Sequence, residues 1–272
     1  MSASIFWVVL IFALISAAVA LLPLSRGNSA QNRCRKLLFC GASLALLPIV
    51  LKMFFSFFPL LEARLMPVEP YAAVQREFWL PFTVLFFAIA SHLVSTRSRR
   101  AVLMIVALLA AVVIQQTFWH LGEPEIYNHQ GTVVNGVYRQ TSFETCGAAA
   151  MATLLNAIGI KTSEGEMARL SMTAPRGGVS PHLAAYGIKR KLRRLKRPEQ
   201  VAVLVPRLRD LQRLATPYLA GVKFSFTTNH MVCVLETQGE YLIVGDPISS
   251  GPKKWSWNRF EKMWSGIIVT CH

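Results

Sequence analysis

The chain has 272 residues, of which 53% are hydrophobic, and this fraction is too high for an ordinary soluble enzyme. The formal net charge of +15 is shared between the two halves, with ten Lys/Arg against three Asp/Glu before residue 120 and nineteen against eleven after it. Neither half carries the concentrated basic pattern of a nucleic-acid-binding protein, which excludes nucleic acid as a partner. No Gly-rich loop ending in Gly-Lys-Ser/Thr occurs, so these residues include no ATPase domain of that type.

Four apolar runs precede residue 120, and each is close to the length of about 20 residues that crosses a hydrocarbon core. The runs cover residues 5–24, 37–61, 78–94 and 101–119. We therefore predict an α-helical transmembrane region of four spans over residues 1–120 and a second domain over residues 121–272. Lys52 and Pro59 interrupt the second run and the third is short, so a three-span or re-entrant arrangement stays open.

Basic residues at the ends of the runs predict the orientation of the chain in the membrane. The loops after the first and third runs carry seven Lys/Arg between them, whereas the loop after the second run carries two. By the positive-inside rule, the first and third loops are cytoplasmic. We expect an integral protein of the cytoplasmic (inner) membrane whose second domain lies on the outer or periplasmic side. A cleaved signal peptide is the alternative for the first run, but residues 1–6 contain no basic residue, which favours a retained anchor.

The second domain has helical patterns first and strand patterns later, which predicts an α+β fold with an antiparallel sheet. Helices are predicted over residues 146–158, 162–170 and 180–192, and strands over residues 202–205, 218–226, 230–236, 241–246 and 267–270. A hairpin turn at residues 238–240 joins the third and fourth strands. If the register has no bulge, His230 and Asp246 share one face of this hairpin and lie diagonally to each other.

Four residues of this domain form a candidate catalytic set. Cys146 begins the first predicted helix, where backbone N–H groups and the helix dipole favour a thiolate. His230 is placed to act as its base, and Asp246 to accept the second ring N–H of His230. Gln140 lies six residues before Cys146, where its amide is positioned to bind an oxyanion beside the Cys146 backbone N–H. A cysteine or a histidine alone is usually structural, so the prediction depends on the combination.

Several segments resemble the double-glycine leader peptidases, the bacteriocin-processing cysteine peptidases. The matching segments are Gln140-Thr-Ser-Phe-Glu-Thr-Cys146-Gly147-Ala-Ala, Gly178-Val-Ser-Pro, His230-Met-Val-Cys-Val-Leu, Val-Gly-Asp246-Pro247 and Phe260-Glu-Lys-Met-Trp264-Ser-Gly266. The resemblance covers roughly residues 133–271. It implies a papain-like fold in which Gln140, Cys146, His230 and Asp246 are the oxyanion helper, nucleophile, base and orienting residue. The chain departs from the family pattern at Thr145, where an acidic residue is common, and in lacking the usual exporter spans and ATPase domain.

These observations favour a membrane-anchored cysteine peptidase that cleaves an exported or membrane-associated peptide or protein through an acyl-enzyme. The resemblance suggests cleavage after Gly or another small residue. Two alternatives stay open: a thiol-dependent acyltransferase or transpeptidase on the same fold, and a non-catalytic peptide-binding domain on a membrane anchor. The expected partners are a peptide or protein substrate, membrane lipid and a separate membrane export or processing protein. We expect no cofactor.

The remaining cysteines and a basic run suggest further features. The five cysteines have no zinc-binding spacing, so no metal is expected. A disulfide between Cys233 and Cys271 is an alternative to a core position for Cys233. Seven Lys/Arg lie within residues 189–197, which indicates a solvated face more than a site for anionic lipid or an acidic peptide.

Overall fold

The structure is a computed structural model. It describes residues 40–46, 50–51, 54–55, 57–74, 79–91, 98, 101–108, 111, 125–174, 178–224, 229–249 and 251–272. The chain divides into two compact units. The N-terminal unit comprises Met1–Pro59 and Ala73–Glu123, and the C-terminal unit comprises Leu60–Ala72 and Pro124–His272. Leu60–Ala72 thus belongs to the C-terminal unit, although the sequence predicts it to be part of the transmembrane region.

The described residues before the C-terminal half are helical. Helix α1 covers Pro59–Leu65, α2 covers Val68–Val74 and α3 covers Trp79–Ala90, the last within the third apolar run. Among these residues no helix is both long and apolar enough to cross a membrane. The predicted first span, residues 5–24, lies outside the described residues, as do parts of the other three, so the four-span arrangement stays a prediction.

A six-stranded antiparallel sheet organises the C-terminal unit. Its order is β3-β8-β4-β5-β6-β7, with β3 at Val201–Leu204, β4 at Tyr218–Lys223, β5 at Asn229–Gln238, β6 at Tyr241–Gly245, β7 at Pro252–Ser256 and β8 at Trp264–Cys271. A separate hairpin pairs β1 (Thr132–Val134) with β2 (Val137–Arg139). The prediction of an antiparallel sheet after the helices is confirmed, whereas β1, β2 and β7 were not predicted.

Helices α4 (Cys146–Ala157), α5 (Glu164–Leu170) and α6 (Pro181–Arg194) match the three predicted helices, and two shorter helices, α7 (Leu208–Leu211) and α8 (Trp257–Met263), follow. Helices α5 and α6 are capped at their N-termini, because Ser163 accepts a hydrogen bond from the Glu166 backbone N–H and Ser180 from that of Leu183. Helix α4 carries mainly small residues and is almost completely buried, so it packs closely against the sheet.

The two faces of the sheet pack into two hydrophobic clusters. Met231 and Cys233 of β5 face the cluster that includes α4, and Val232 and Val234 face the cluster around Trp255. This alternation is the two-residue period of a strand.

The β5–β6 hairpin brings His230 and Asp246 together, but its register is not the regular one considered in the sequence analysis. Its turn has two residues, so Gln238 pairs with Tyr241 and the even-numbered residues of the two strands lie on opposite faces near the turn. A β-bulge between Val234 and Glu236 then shifts the pairing by one residue. Beyond the bulge Cys233 pairs with Gly245, which brings Asp246 diagonal to His230 as expected. The condition of a bulge-free register is therefore not met, but the bulge offsets the shorter turn and the expected placement of these two residues holds.

Candidate active site

Cys146 occupies the first position of α4, directly after a 3-10 turn at Phe143–Thr145. The turn is fixed because the Thr145 hydroxyl accepts a hydrogen bond from the Ser142 backbone N–H at 3.1 Å. Cys146 is half-buried and not in a disulfide. Backbone N–H groups at a helix start have no partner within the helix, so they and the dipole favour negative charge on a sulfur located there.

His230 and Asp246 form a direct pair at one end of the β5–β6 hairpin. The distance from His230 Nε2 to Asp246 Oδ1 is 2.8 Å, and the two side chains are only 4% and 11% exposed. Asp246 Oδ1 also accepts the Ile248 backbone N–H at 3.1 Å, which fixes the carboxylate in the turn after β6. Because Nε2 is engaged with Asp246, Nδ1 is the ring nitrogen left for another partner.

Interaction with the Cys146 thiol is one of the causes that raise the pKa of His230, so the imidazole is coupled electrostatically to both Cys146 and Asp246. The ring of Phe224 covers the imidazole, with ring centroids 4.6 Å apart and planes inclined by 31°. Phe224 follows β4 directly, beside the start of β5, and sequence analysis assigned it to a strand but gave it no place in the site. An aromatic residue at the end of the neighbouring strand was the only signal for it.

Hydrogen bonding sets the charge state of the pair. Burial lowers the pKa of His230, but the hydrogen bond with Asp246 and the interaction with Cys146 outweigh burial and raise the pKa to about 9. For Asp246, burial acts to raise the pKa, and the hydrogen bonds from His230 and the Ile248 N–H bring it below its ordinary value. At neutral pH the site therefore holds an imidazolium beside a carboxylate.

Gln140 lies in the loop before Cys146, and this loop is held by three hydrogen bonds, two of them from Gln140. Its backbone N–H donates to the Pro247 carbonyl at 3.0 Å, which joins this loop to the residue after Asp246. Its side-chain Nε2 donates to the Ser142 carbonyl at 2.9 Å, leaving one amide hydrogen for another acceptor. The neighbouring Thr141 backbone N–H donates to Glu164 Oε1 at 2.8 Å. Sequence analysis did not identify Glu164 as a support of this loop.

The other cysteines do not extend the site. Cys233 and Cys271 are buried and free, and β4 lies between their strands β5 and β8. Two strand spacings amount to roughly 9–10 Å, which exceeds the Cα separation of a disulfide, so the alternative pairing of Cys233 with Cys271 is wrong. Within the described part of the chain, no group of three or more His, Cys, Asp or Glu residues is placed to hold a metal ion.

The basic run is used largely for contacts within the C-terminal unit. Lys191 contacts Glu166 at 2.7 Å, Lys189 and Arg193 contact Glu69 at 3.0 and 3.2 Å, Arg190 donates to the Leu170 carbonyl at 2.9 Å, and Arg197 pairs with Glu199. Lys191 is buried and Lys189 and Arg190 are half-buried, so the interpretation as a solvated face is wrong for Lys191. Arg193, Arg194, Lys196 and Arg197 are exposed, as that interpretation expects.

A thiol at a helix start together with a histidine–carboxylate pair on an antiparallel sheet is the arrangement of a papain-like cysteine peptidase. The model of the Peptidase C39 family matches residues 135–272, and the chain belongs to this family. It is therefore a hydrolase acting on peptide bonds, of the double-glycine leader peptidase type, and the predicted family resemblance is confirmed.

The chain is also similar to several solved structures. The peptidase domain of Streptococcus ComA, a bifunctional ABC transporter of a quorum-sensing pathway, is 23% identical, with 53% of this chain and 98% of that chain covered and a TM-score of 0.42. A double-glycine motif protease from an AMS/PCAT transporter, in complex with its leader peptide, is 21% identical, with 52% and 95% covered and a TM-score of 0.42. A C39-like peptidase from Bacillus anthracis is 14% identical, with 52% and 96% covered and a TM-score of 0.41. No curated protein matches the chain significantly.

Proposed function

We propose that this chain is a membrane-anchored peptidase that cleaves an exported or membrane-associated peptide or protein with a Cys146–His230–Asp246 triad. The observation that supports the triad is the central position of His230. Its Nε2 is 2.8 Å from Asp246 Oδ1, and interaction with the Cys146 thiol contributes to its raised pKa. An imidazolium beside the sulfur favours the thiolate, which is the nucleophilic form.

The reaction follows from these positions. The Cys146 thiolate attacks the scissile carbonyl carbon, and the resulting oxyanion receives hydrogen bonds from the Cys146 backbone N–H and the free amide hydrogen of Gln140. As the C–N bond breaks, the His230 imidazolium gives its proton to the leaving amine, which leaves a thioester on Cys146. Neutral His230 then takes a proton from water, which attacks the thioester, releases the acid product and restores the thiolate–imidazolium pair.

Asp246 and Phe224 act through His230 in this scheme. Asp246 holds the ring by accepting from Nε2 and stabilises its positive charge. Phe224 covers one face of the ring and limits its contact with water, which strengthens the hydrogen bond to Asp246.

The apolar runs and the basic loops support a membrane anchor with the peptidase on the outer side of the cytoplasmic membrane. Residues 60–72 and 124–272 form one unit, so both belong on the same side of any membrane that the intervening chain crosses. If the third and fourth apolar runs each cross the membrane once, residues 124–272 return to the side on which residues 60–72 lie. On that side the substrate is a peptide or protein already exported or held at the membrane, and the family type favours cleavage after Gly or a small residue. A separate export or processing protein in the membrane is the expected partner.

Activity-based labelling and product analysis test this proposal. The full chain in detergent micelles is treated with a thiol-reactive peptide probe and with a peptide library containing Gly-Gly and Gly-Ala sites. We expect rapid labelling that is lost in Cys146→Ala and slowed in His230→Ala, with free carboxyl-terminal products. Slow labelling that is equal in all three proteins would indicate a binding module, and products joined to an amine or a thiol would indicate acyl transfer.

Topology is tested separately in intact cells. Single cysteines introduced at Lys254 and at Arg99 are treated with a membrane-impermeant thiol reagent, in a background where exposed native cysteines are replaced. We expect labelling at Lys254 and none at Arg99. Labelling at Arg99 alone would place the peptidase in the cytoplasm and overturn the proposed location.

A further inference from the structure

Two large hydrophobic side chains are exposed beside the residues of the proposed catalytic set. Phe143 lies between Gln140 and Cys146 in the sequence and is 71% exposed, and Ile248 lies two residues after Asp246 and is 52% exposed. The catalytic scheme uses neither side chain. A single exposed hydrophobic residue is ordinary on a protein surface, so the significance of this apolar pair depends on where it lies and on what holds it there.

The backbone that carries Phe143 is fixed by hydrogen bonds that do not involve its ring. In the turn Phe143–Thr145, the Ser142 backbone N–H donates to the Thr145 hydroxyl at 3.1 Å, and this hydroxyl donates to the Ser142 carbonyl at 3.0 Å. The turn continues directly into α4, which begins at Cys146. The ring of Phe143 is therefore exposed at a defined position beside the nucleophile, although the turn does not need it.

Ile248 is fixed by the residue that orients His230. Its backbone N–H donates to Asp246 Oδ1 at 3.1 Å, and the backbone N–H and the hydroxyl of Ser249 donate to the Asp246 carbonyl at 2.9 and 3.0 Å. These three hydrogen bonds close the turn after β6. The exposed side chain of Ile248 is thus held in place by the same residue that, in the proposed mechanism, holds the imidazole.

A hydrogen bond joins the two loops that carry the apolar pair. The Gln140 backbone N–H donates to the Pro247 carbonyl at 3.0 Å. Pro247 directly precedes Ile248, and Phe143 follows Gln140 by three residues, which span at most about 11 Å. Both members of the pair therefore border the same end of the site, where the oxyanion loop meets the turn after Asp246.

The wall that Val179 forms beside the nucleophile has no room for a large side chain. Gly147 follows Cys146, and a Cβ atom placed at Gly147 would overlap the Val179 side chain and lie 3.6 Å from Met231 Sδ. The space next to the nucleophile is thus already filled on this flank. Such close packing suits the Gly or small residue that the family type favours before the scissile bond.

The proposed mechanism indicates which half of the substrate reaches the apolar pair. His230 gives its proton to the leaving amine, so the residues after the scissile bond lie beside the His230–Asp246 pair. Phe224 already covers one face of the imidazole, with ring centroids 4.6 Å apart, which leaves the other approaches for the substrate. Ile248 follows Asp246 in a closed turn, so it lies on this leaving side of the site.

We infer that Phe143 and Ile248 form a binding surface for a large hydrophobic residue of the substrate at the first or second position after the scissile bond. This inference rests on the proposed function, because the proposed mechanism sets the direction of the substrate. Contact between that residue and the pair removes apolar surface of both partners from water. Because the two loops are already fixed by hydrogen bonds, they lose little conformational freedom on binding.

A peptide set that varies only the leaving half tests this inference. All peptides carry Gly-Gly before the scissile bond, and each has Ala, Leu or Glu at the first or the second position after it. The full chain in detergent micelles is assayed for kcat/KM on each peptide. For the wild type we expect Leu at one of the two positions to raise kcat/KM by roughly three- to tenfold over Ala.

Alanine variants of the pair should remove this preference. In Phe143→Ala and in Ile248→Ala, we expect the ratio of kcat/KM for Leu over Ala at that position to fall below about twofold. Each ratio is taken within one enzyme, so a general loss of activity cancels. Leu195→Ala removes a large hydrophobic side chain of similar exposure at the opposite end of α6 from Val179, and it should leave the ratio at the wild-type value.

A charge substitution adds a gain of preference that a purely structural role would not produce. Phe143→Lys presents an ammonium group at the same exposed position and should favour Glu over Ala there by roughly two- to fivefold at low ionic strength. The wild type should show no such preference for Glu. Added salt should reduce the preference of the variant, because the new ion pair is exposed to solvent.

Two results would overturn the inference while leaving the proposed function intact. One is a wild-type rate that does not depend on the two residues after the scissile bond, and the other is a preference for Leu that persists in either alanine variant. The proposed function fails by a different result, namely that the wild type cleaves no peptide of the set or that cleavage survives Cys146→Ala.

Discussion

The active site has a base side and a loop side, and each contains a buried carboxylate that holds it in place. On the base side, Asp246 contacts His230 directly at 2.8 Å. On the loop side, Glu164 is fully buried and accepts from the Thr141 backbone N–H and hydroxyl, so it acts on Gln140 only through its neighbour. In the proposed mechanism the first carboxylate stabilises a charge that takes part in the reaction, whereas the second fixes a piece of backbone. The two should therefore differ in the size and the kind of effect that their removal produces.

The largest effect is expected on the base side. Asp246→Asn keeps the shape of the residue but removes its negative charge and weakens its hold on the ring of His230. In the proposed triad this substitution should lower kcat/KM by on the order of 10²–10⁴-fold, with little change in KM. Steady-state kinetics on a Gly-Gly peptide measure it, and Asp210→Asn serves as a surface control. If kcat/KM of the Asp246→Asn enzyme is within threefold of the wild-type value, Asp246 does not take part in the mechanism.

A pH-dependent contribution to stability is expected from the same side. The pKa of His230 is raised from an ordinary value near 6.5 to about 9, so its stabilising contribution is complete below about pH 6.5 and is lost as the pH rises toward 9. The integrated loss is at most about 3 kcal/mol. Asp246 has a lowered pKa, so its own contribution is present above about pH 4 and is lost in acid.

Thermal unfolding of the full chain in detergent micelles, compared with His230→Gln between pH 5 and pH 10, measures this loss. We expect the wild type to be the more stable protein at pH 6 and its advantage to shrink steadily up to pH 9. A difference that is constant over this range would show that the charge of His230 contributes nothing to folding. In the same interval, kcat/KM should fall above about pH 9, because the leaving amine then lacks its proton donor.

On the loop side, Gln140→Ala removes the proposed oxyanion donor. Loss of one such donor from a preorganised site typically lowers kcat by about 10²-fold, because the hydrogen bond is strongest when the oxyanion forms. Labelling of Cys146 by a small alkylating reagent should change little, since alkylation forms no oxyanion. If alkylation and peptide cleavage fall together, Gln140 acts on the thiolate and not on the oxyanion.

The two sides also differ in how well they could be predicted from the sequence. His230 and Asp246 are joined by a short hairpin. Their proximity can therefore be predicted from the two-residue period of the strands and the position of the turn. The helix start at Cys146 is equally local. The bulge near Glu236 was not predictable in this way, because nothing in the hydrophobic pattern marks the extra residue, and the correct pairing resulted from two compensating errors.

Contacts between distant parts of the sequence escaped prediction altogether. Glu164 supports Thr141 from 23 positions away, and Glu69 contacts Lys189 across 120 positions. In the sequence Glu164 follows Ser163 at a helix start, where an acidic residue is expected for the helix dipole alone. Phe224 likewise had an adequate explanation as a strand residue. When helix capping or strand formation already explains a residue, the sequence gives no sign that its side chain also makes a tertiary contact.

The smallest effect is expected for Glu164→Ala, and it separates support of the loop from direct catalysis. The substitution leaves the Thr141 N–H without its acceptor, at a cost in stability of about 1–3 kcal/mol, and should lower kcat by roughly tenfold by loosening Gln140. Glu164→Gln keeps an acceptor for Thr141 and should retain most of the activity. Because Glu164 acts through Gln140, the effects of Glu164→Ala and Gln140→Ala should not add: in a Gln140→Ala background, Glu164→Ala should change kcat by less than about twofold. Full additivity of the two effects would show that Glu164 influences the reaction by a path that does not involve the oxyanion loop.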